Sequence, residues 1–277
     1  MIHCPAVRKR SIRFHYDLTT LFYRLLWGEH IHHGLWQKDE SPKDAQVRLT
    51  REVARLTGIE AGESVLDVGC GMGGSSLYLA RHHGCQVTGV TISGVQRRWA
   101  SWSAWRRGLG RRTTFVRADA ERMEWEPEQF DVIWSIECTE HLFDKAAFFE
   151  RAARWLRPGG RMAICAWLEG TTDSPHSRQL VMDVCEGFFC PSLGSMNDYR
   201  RWMSDAGLEV QDVRDWTDEV ARTWEICQSR ACRPGLRRLA YWIDRETGRF
   251  LDRFATIHRA YTEGAMQYGC LVARKPP

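Results

Sequence analysis

The stretch from residue 64 to residue 167 alternates short apolar segments with longer segments that carry apolar residues at helical spacing. The short segments, which have the length and apolar content of buried β-strands, are 64–68, 86–90, 113–117, 130–135 and 161–167. The helical segments among them are 75–83, 94–107 and 144–156, the last ended by an Arg-Pro-Gly-Gly turn at 157–160. Strands that alternate with helices predict an α/β fold with a doubly wound, mostly parallel sheet.

Helical patterns flank this stretch on both sides. Residues 42–58 predict a helix that Gly58 ends, and 11–27 predict one amphipathic helix or two short ones. The apolar residues that give the second pattern are Ile12, Tyr16, Phe22, Leu25 and Leu26. After Trp167 we expect an irregular segment (168–195), a helix (197–206), a strand (209–214), an Arg-rich and aromatic helical region (217–262) and a final strand (265–273).

Composition excludes several classes of protein. A chain of 277 residues with 43% hydrophobic and 27% charged residues is typical of a globular domain, and a net charge of +4 does not indicate nucleic-acid binding. Ten cysteines without a C-x-x-C pair argue against a zinc ribbon or a redox dithiol and favour reduced, buried thiols. No segment has the apolar core of a signal peptide or the length of a membrane span. We therefore expect a cytoplasmic protein without integral membrane association.

The most informative motif is the glycine-rich turn VLDVGCGMGG at residues 65–74, between the first strand and its helix. Glycine has no Cβ, so Gly69, Gly71 and Gly73 allow a sharp turn and a close approach of the backbone to a ligand. The N–H groups at the start of the following helix point at the same place. Many α/β proteins have such a loop, so the turn by itself predicts a cofactor site only weakly.

Three further motifs follow the next strands: GVTISGVQ at 89–96, RADA at 117–120 and WSIECTEH at 134–141. The carboxyl ends of neighbouring parallel strands share one edge of the sheet, so all four motifs line one crevice. A dinucleotide site would need G-x-G-x-x-G and an acidic residue after the second strand. The glycine spacing differs here, and Thr91 stands where the acid would be, which argues against NAD.

In this combination and order, the motifs resemble those of class I S-adenosylmethionine-dependent methyltransferases. The segments HYDL…FYRLLWGEHIHHGLW and GVTISGVQ look like the branch with γ-tocopherol C-methyltransferases, sarcosine/dimethylglycine N-methyltransferases and prenyl-diphosphate C-methyltransferases. Cyclopropane-fatty-acid synthases are more distant relatives. The resemblance covers about residues 14–215. It implies a Rossmann-like sheet, N-terminal helices and a helical cap inserted late in the chain.

The resemblance also implies that S-adenosyl-L-methionine is the cofactor and which positions surround it. The glycine turn, ordered by Asp67, would meet the methionine part, and Ser135 and Ile136 would border it. Thr91 and Gln96 would lie at the ribose. Asp119 would accept from the adenine amino group, Ala120 would pack on the ring, and the N-terminal segment would close the site. The implied set is Tyr16, His32, His33, Asp67, Gly69, Gly71, Gly73, Thr91, Ser93, Gln96, Asp119, Ala120, Ser135 and Ile136. A purely structural role is the alternative for the polar residues: Thr91 could be a turn residue, and Asp119 could cap a helix.

From the resemblance we predict four segments. Residues 1–60 form an N-terminal helical segment that closes the cofactor site, and 61–168 form the S-adenosylmethionine-binding core. Residues 169–262 complete the core and add a helical cap that binds the acceptor, and 263–277 contain the final strand and tail.

Three residues are candidates for catalysis. Methyl transfer from a sulfonium needs mainly orientation of the acceptor, so a base is optional. His141 and Glu140 follow the fourth strand and could remove a proton. The alternative for His141 is positioning of the cofactor or substrate, and the alternative for Glu140 is an ion pair with an arginine. Glu169 is implied more weakly, through the prenyl-diphosphate enzymes, and could equally be a solvated loop residue.

Two further interpretations are unfavourable. His30, His32 and His33 are too close in sequence to face one metal ion from a regular element, so we predict no metal. Cyclopropane synthases resemble this chain at Glu140, but they have a cysteine and a histidine at the positions of Gly34 and Trp167. Both bicarbonate-holding positions are then lost, which argues against a fatty-acyl acceptor.

The acceptor is expected to be a small molecule. Candidate aromatic walls are Phe188, Phe189, Tyr199, Trp216, Trp224, Tyr241, Trp242, Phe250 and Phe254, and candidate anion ligands are Arg222, Arg230, Arg237 and Arg238. The alternative is a cap core with a solvated basic face. We predict methylation of carbon or nitrogen on a small lipophilic metabolite that is aromatic, alkaloid-like or prenylated. A cofactor-binding subunit or sensor without turnover is the alternative, a nucleic-acid substrate is disfavoured, and a homo-oligomer stays open.

Overall fold

The computed structural model describes residues 1–277 except 173, 232–234, 236–237, 239–240 and 243–244. The described helices are α1 (Lys9–Leu26), α2 (Pro42–Thr57), α3 (Gly74–His82), α4 (Gly94–Arg106), α5 (Lys145–Trp155), α6 (Pro175–Phe188), α7 (Met196–Asp205), α8 (Thr217–Ala231) and α9 (Arg245–Thr262). The described strands are β1 (Ile2–His3), β2 (Ser64–Val68), β3 (Gln86–Thr91), β4 (Thr113–Arg117), β5 (Phe130–Ile136), β6 (Leu156–Glu169), β7 (Ser192–Leu193), β8 (Glu209–Asp215) and β9 (Met266–Arg274).

A seven-stranded sheet in the order β4-β3-β2-β5-β6-β9-β8 forms the centre of the molecule. The five strands β2 to β6 are parallel to one another, and β9 pairs antiparallel with both β6 and β8. The predicted doubly wound, mostly parallel α/β fold is therefore confirmed. The short strands β1 and β7 form a separate antiparallel pair.

Both faces of the sheet are covered, as a parallel sheet requires. Strand β2 illustrates this, because Val65 belongs to one buried apolar cluster while Leu66 and Val68 belong to the other. Successive strand side chains point to opposite faces, so one central strand supplies both cores. Among the described helices, none combines the length and apolar character that crossing a bilayer requires.

Several predicted elements need correction. The segment 168–195 is not irregular, because α6 occupies Pro175–Phe188 and begins at an N-cap, Ser174, whose side chain accepts from the Ser177 N–H. Strand β6 begins at Leu156, directly after α5, so it includes the predicted Arg-Pro-Gly-Gly turn. Backbone hydrogen bonds of Gly159 and Gly160 with Lys275 extend the pairing there.

The N-terminal helix does not bury all the apolar residues that predicted it. Residues 9–26 form one helix rather than two, and Ile12 is buried as expected. Leu25, however, is 72% exposed, so the apolar residues of this helix do not share one inward face. The side chains of Phe22 and Leu26 lie outside the described residues. Gly58 ends α2 in the left-handed conformation (φ 64°), as predicted.

Candidate functional site

Two adjoining cavities lie at the carboxyl ends of the parallel strands. The first, of about 750 Å³, is bordered by the ends of β2 to β5 and by α1, and the second, of about 500 Å³, lies under α6 and α8. Four residues line both cavities: Tyr16, Ile31, Glu137 and His141. These four residues form a wall shared by the two cavities.

The glycine turn forms the floor of the first cavity. Gly69 and Gly71 line it, with φ angles of 81° and 52° that favour glycine. A Cβ at Gly69 would lie 2.3 Å from the Cβ of Cys138, so a larger residue cannot occupy this position without displacing the neighbouring loop. The cavity depends on the missing side chain.

Two predicted residues lie behind this turn rather than in the cavity. The Asp67 carboxylate accepts a hydrogen bond from the Ser76 hydroxyl at 2.5 Å and thereby ties β2 to α3. Burial raises the pKa of Asp67 to about 7. Gly73 has φ 85° and precedes the first residue of α3. Both order the turn from outside the cavity lining.

Polar side chains follow β3 in the predicted region. Thr91 and Gln96 line the first cavity, and the Thr91 hydroxyl donates to the Gln96 side-chain oxygen at 2.8 Å. The amide N–H₂ of Gln96 has donors left for a ligand. Ser93 lies behind them, because its hydroxyl accepts from the Gln96 N–H at 3.1 Å and donates to Asp17 at 2.6 Å. Ser93 thus caps α4 and joins it to α1.

Asp119 and Ala120 line the first cavity as predicted. The Lys9 ammonium donates to the two Asp119 carboxylate oxygens at 3.0 and 2.8 Å and lies 2.5 Å from Glu121. Lys9 also lines the cavity, and sequence analysis missed it. No local motif connects Lys9 to Asp119, since the contact spans 110 residues.

The end of β5 supplies a further side of the first cavity. Ile136 lines the cavity, whereas the Ser135 hydroxyl donates to the Val68 carbonyl at 3.0 Å and holds β5 to β2. Strand alternation explains the difference, because neighbouring residues point to opposite faces of the sheet. The structure therefore places Ile136, but not Ser135, against a ligand in the first cavity.

His141 is held in one tautomer at the shared wall. Its Nδ1 lies 3.0 Å from the Phe189 carbonyl oxygen, which can only accept, so Nδ1 carries the proton. Its Nε2 therefore accepts from the Tyr16 hydroxyl, at 2.7 Å. Burial lowers the pKa of His141 to about 4, so the ring is neutral near pH 7.

Glu137 is the main residue of the shared wall that sequence analysis missed. Its φ of 54° is uncommon for a residue other than glycine, and such outliers concentrate at functional sites. Its carboxylate accepts from His33 Nδ1 at 2.9 Å, Tyr268 at 2.8 Å and Trp167 Nε1 at 3.1 Å. Burial opposes ionisation, but the contacts with His33 hold the pKa of Glu137 below its ordinary value. A carboxylate is therefore present between the cavities.

Glu140 has the opposite character. It is 1% exposed and lines the second cavity. One carboxyl oxygen accepts from the Trp167 backbone N–H at 2.5 Å, and the other has no hydrogen-bond partner among the described residues. Burial raises the pKa of Glu140 to about 8. This carboxyl can exchange a proton near neutral pH.

Aromatic rings form most of the second cavity. Its aromatic lining consists of Tyr16, Tyr23, Trp27, Trp167, Phe188 and Trp224. Of the aromatic residues proposed as acceptor walls, only Phe188 and Trp224 are among them. The other proposed residues lie outside this lining. Four of them are buried elsewhere: Tyr199, Trp216, Phe250 and Phe254. Phe189 is partly buried, and Tyr241 and Trp242 are exposed.

The arginines proposed as anion ligands do not line this cavity in the described part of the chain. Arg222 pairs with Asp39 at 2.9 Å, and Arg230 lines another, smaller cavity. Arg238 is exposed. Arg237 lies outside the described residues.

Glu169 lies away from both cavities, which corrects its assignment as a catalytic candidate. Its carboxylate accepts from the N-terminal ammonium of Met1 at 2.8 Å and borders a separate cavity there. Trp167, two residues earlier in β6, still lines the second cavity. Two residues of a strand span about 7 Å, which carries Glu169 beyond the site.

The three clustered histidines form a structural network. His30 Nδ1 lies 3.1 Å from His32 Nε2, and His32 Nδ1 donates to the His33 carbonyl at 2.7 Å. Burial lowers the pKa of both His30 and His32, so they are neutral. Among the described residues no group of three His, Cys, Asp or Glu is placed to hold a metal ion. His33 lines the second cavity, whereas His32 lies behind the wall.

The chain is similar to known proteins over most of its length. Residues 5–261 match the family described as mycolic acid cyclopropane synthetase. The chain is 31% identical to the chloroplastic tocopherol O-methyltransferase of Arabidopsis thaliana, over 98% of this chain and 83% of that protein. It is 32% identical to the 27-O-demethylrifamycin SV methyltransferase of Amycolatopsis mediterranei, over 94% and 95%.

A solved structure agrees with the fold. The cyclopropane synthase MmaA2 from Mycobacterium tuberculosis superimposes with a TM-score of 0.85 at 18% identity, covering 98% of this chain and 99% of that one. At this identity the likeness concerns the fold alone.

Proposed function

The chain belongs to the mycolic acid cyclopropane synthetase family of S-adenosylmethionine-dependent methyltransferases, and we propose that it methylates a carbon or nitrogen atom of a small lipophilic molecule. The observation that carries the proposal is the wall shared by a glycine-floored cavity that offers hydrogen-bonding side chains and a mainly aromatic one. The first has the chemistry to hold the cofactor, and the second has the chemistry to hold an apolar acceptor.

The first cavity fits S-adenosylmethionine. The glycine floor has no side chains, so a ligand can approach the backbone closely. The Asp119 carboxylate can accept hydrogen bonds from the nucleoside, and the Gln96 amide can donate them. We keep Tyr16, Gly69, Gly71, Thr91, Gln96, Asp119, Ala120 and Ile136 as proposed contacts, and add Lys9 and Glu137. Asp67, Gly73, Ser93, Ser135 and His32 are proposed to support these residues from behind.

The segment division is supported in part and stays a proposal. Lys9, Ile12, Tyr16 and Ile31 of the predicted closing segment line the first cavity. Phe188 and Trp224 of the predicted cap line the second. In this arrangement the N-terminal segment also contributes to the acceptor cavity, through Tyr23 and Trp27.

S-adenosylmethionine supplies an electrophilic methyl group on a positively charged sulfur, so the protein has to orient the acceptor and exclude water. Neutral His141 and Tyr16 hold each other at the shared wall. The Glu137 carboxylate provides negative charge there, and the aromatic rings of the second cavity stabilise positive charge on an acceptor. A neutral His141 with a low pKa is a weak base, so we assign it to positioning.

Glu140 is the proposed proton acceptor. A carboxylate with a pKa of about 8 is a stronger base than an ordinary one and takes up a proton once it is ionised, and its unpartnered oxygen belongs to a side chain that lines the acceptor cavity. An acceptor that loses a proton upon methylation would transfer it to this oxygen. Trp167, whose backbone holds the other oxygen, fixes the orientation of the carboxyl.

Two positions favour methyl transfer over cyclopropane formation. A Cβ at Gly34 would lie 2.6 Å from the Cβ of Ala45, so the cysteine that cyclopropane synthases are expected to have does not fit here. Trp167 stands in place of their expected histidine, and its indole N–H is committed to Glu137. These differences support a methyl group that is transferred without ring formation.

The proposal is tested by incubating the protein with methyl-labelled S-adenosylmethionine and three lipophilic acceptors: a prenylated phenol, an indole-type amine and a prenyl diphosphate. We expect label on carbon or nitrogen of at least one, located by mass spectrometry. Matched acceptors without the apolar portion serve as controls. Label found only on the polar controls, or only on oxygen, would contradict the proposed acceptor class. Binding of the cofactor is measured separately by calorimetry.

A further inference from the structure

The outer face of α1 carries an apolar stripe that the protein leaves uncovered. Phe14, Leu18, Leu21 and Leu25 are spaced by four, three and four residues, and are between 36% and 72% exposed. This spacing places them on one side of a helix. A stripe of this kind normally faces a core, but here the core side of α1 is formed by other residues such as Ile12 and Tyr23.

Helix α4 extends this apolar surface. Asp17 in α1 accepts from Ser93 at the start of α4, and Glu29 after α1 pairs with Arg107 after α4. The second half of α1 and the whole of α4 therefore run side by side in the same direction. Helix α4 exposes Trp102 (48%) and Trp105 (75%), so each of the two adjacent helices presents large apolar side chains to solvent.

The same two helices are strongly basic. Together they contain seven lysines and arginines but one acidic residue, whereas the whole chain has 39 basic and 35 acidic residues. The basic residues are Lys9, Arg10, Arg13, Arg24, Arg97, Arg98 and Arg106. Arg106 lies over the Trp102 ring at 4.8 Å. Lys9 pairs with Asp119 and Glu121 at the first cavity, so the arginines supply the positive charge beside the apolar stripe.

We propose that this surface, the α1–α4 face defined by Phe14, Leu18, Leu21, Leu25, Trp102 and Trp105, docks on a bilayer that contains anionic lipids. Apolar side chains enter the boundary between headgroups and acyl chains, tryptophans prefer that boundary, and arginines bind the lipid phosphates. Attraction of the basic residues to an anionic leaflet adds to the apolar contribution.

Charge distinguishes the bilayer from a second copy of the chain. A two-fold dimer through this face would bring the same basic residues close to their own copies. Such repulsion disfavours a symmetric interface, whereas an anionic surface is complementary to it. A bilayer also matches both helices at once, because it offers an extended apolar layer under a charged one.

Helix α1 connects the proposed docking surface to the two cavities. Its inner side supplies Ile12 and Tyr16 to the first cavity and Tyr16 and Tyr23 to the second. Docking would therefore place the membrane against the helix that closes both cavities. A role in receiving an acceptor from the bilayer rests on the proposed function, but the docking itself does not.

The test is co-sedimentation of the full chain with vesicles of phosphatidylcholine, alone or mixed with phosphatidylglycerol. We expect binding to the mixed vesicles that weakens as salt is raised, because the Debye length falls. The double variant Leu21→Asp/Leu25→Asp should bind at least about tenfold more weakly. The matched control is Trp242→Ser, since Trp242 is 84% exposed and belongs to neither helix. It should bind like the unchanged protein.

Thermal unfolding and cofactor calorimetry show whether the double variant is folded, and neither should change by more than the error. Absence of binding to mixed vesicles, or equal binding by the double variant, would overturn the proposal. Sedimentation velocity provides the remaining check. A dimer of the unchanged chain that the double variant abolishes would assign the face to self-association instead.

Discussion

Glu140 is the residue with the sharpest consequences for pH dependence. Its pKa is raised to about 8 by burial, so the carboxyl is protonated at pH 7 and becomes a carboxylate above pH 8. If it is the proton acceptor, activity rises with pH through about 8. His141 contributes no such change in this range, because its pKa is lowered to about 4.

Glu140→Gln is expected to remove that pH dependence and to lower kcat/KM by roughly a hundredfold or more. The measurement is kcat/KM between pH 6 and pH 10, with cofactor affinity as the control for an intact site. The Gln side chain keeps an oxygen for the Trp167 N–H. A Glu140→Gln profile that still rises near pH 8 would contradict the assignment of the proton acceptor.

The same variant should be more stable than the parent at alkaline pH. A carboxyl whose folded pKa is raised stabilises the fold below the unfolded pKa, near 4.5, and this contribution is lost as pH rises through about 8. At pH 9 we therefore expect Glu140→Gln to unfold with a free energy at least about 1 kcal/mol higher than the parent. Urea unfolding at pH 5 and pH 9 measures this, and a smaller difference at pH 9 than at pH 5 would contradict it.

Tyr16 and Tyr23 provide a matched pair on α1. Each hydroxyl contacts a buried histidine, at 2.7 Å for Tyr16 with His141 and 3.0 Å for Tyr23 with His15. Only Tyr16 lines the first cavity. Tyr16→Phe should weaken S-adenosylhomocysteine binding by roughly three- to tenfold, whereas Tyr23→Phe should leave it unchanged. Calorimetry measures both, and equal losses would indicate a general effect of loosening α1.

At the scale of elements, the turn between β2 and α3 depends on one missing Cβ. Gly69 and Gly62 have nearly equal φ angles, 81° and 85°, so alanine meets the same backbone strain at both positions. At Gly69 the new Cβ would lie 2.3 Å from Cys138, whereas at Gly62 no described atom lies within 4 Å.

Gly69→Ala should therefore cost at least about 3 kcal/mol in the free energy of unfolding and abolish cofactor binding, whereas Gly62→Ala should cost about 1 kcal/mol. Chemical unfolding and cofactor calorimetry give the two values. Similar losses for both variants would mean that backbone strain, rather than the contact with Cys138, dominates.

Lys9 links the start of α1 to the loop after β4 through Asp119 and Glu121. Its side chain is 31% exposed, so the pair is worth a modest amount. We expect Lys9→Met to weaken cofactor binding by roughly two- to fivefold, because α1 supplies part of the first cavity. Arg10→Met, one residue later and exposed, is the control. Unchanged affinity in Lys9→Met would show that the pair does not help to close the site.

Helices and strands were predictable from the sequence where a local pattern of residues determines them. The five parallel strands and their helices follow from apolar periodicity, and Gly58 ends α2 where its sequence signal lies. Helix α6 was missed, although its N-cap Ser174 and the Pro175 that follows are a helix-start signal. The outward apolar stripe of α1 was also missed, because periodicity does not say which side of a helix meets the core.

At the scale of the whole molecule, the site is made by joining distant segments. The first cavity takes its floor from the glycine turn and its opposite side from α1, while the second combines rings from α1, β6, α6 and α8. The buried aromatic residues of the C-terminal region mostly fill the core between these helices. This core sets the size of the second cavity.

The amino-acid sequence by itself determined the fold class and the glycine turn, and its resemblance to a known family indicated the cofactor. The fold class and the turn depend on apolar spacing and on backbone sterics, which act over a few residues and leave a readable local pattern. Tertiary structure alone decided which distant residues meet: Glu137 with His33, Lys9 with Asp119, His141 with Tyr16, and Glu169 with the N-terminus, away from the site. Each of these contacts joins residues more than 100 positions apart, and its burial and charge state arise only when the whole chain has packed.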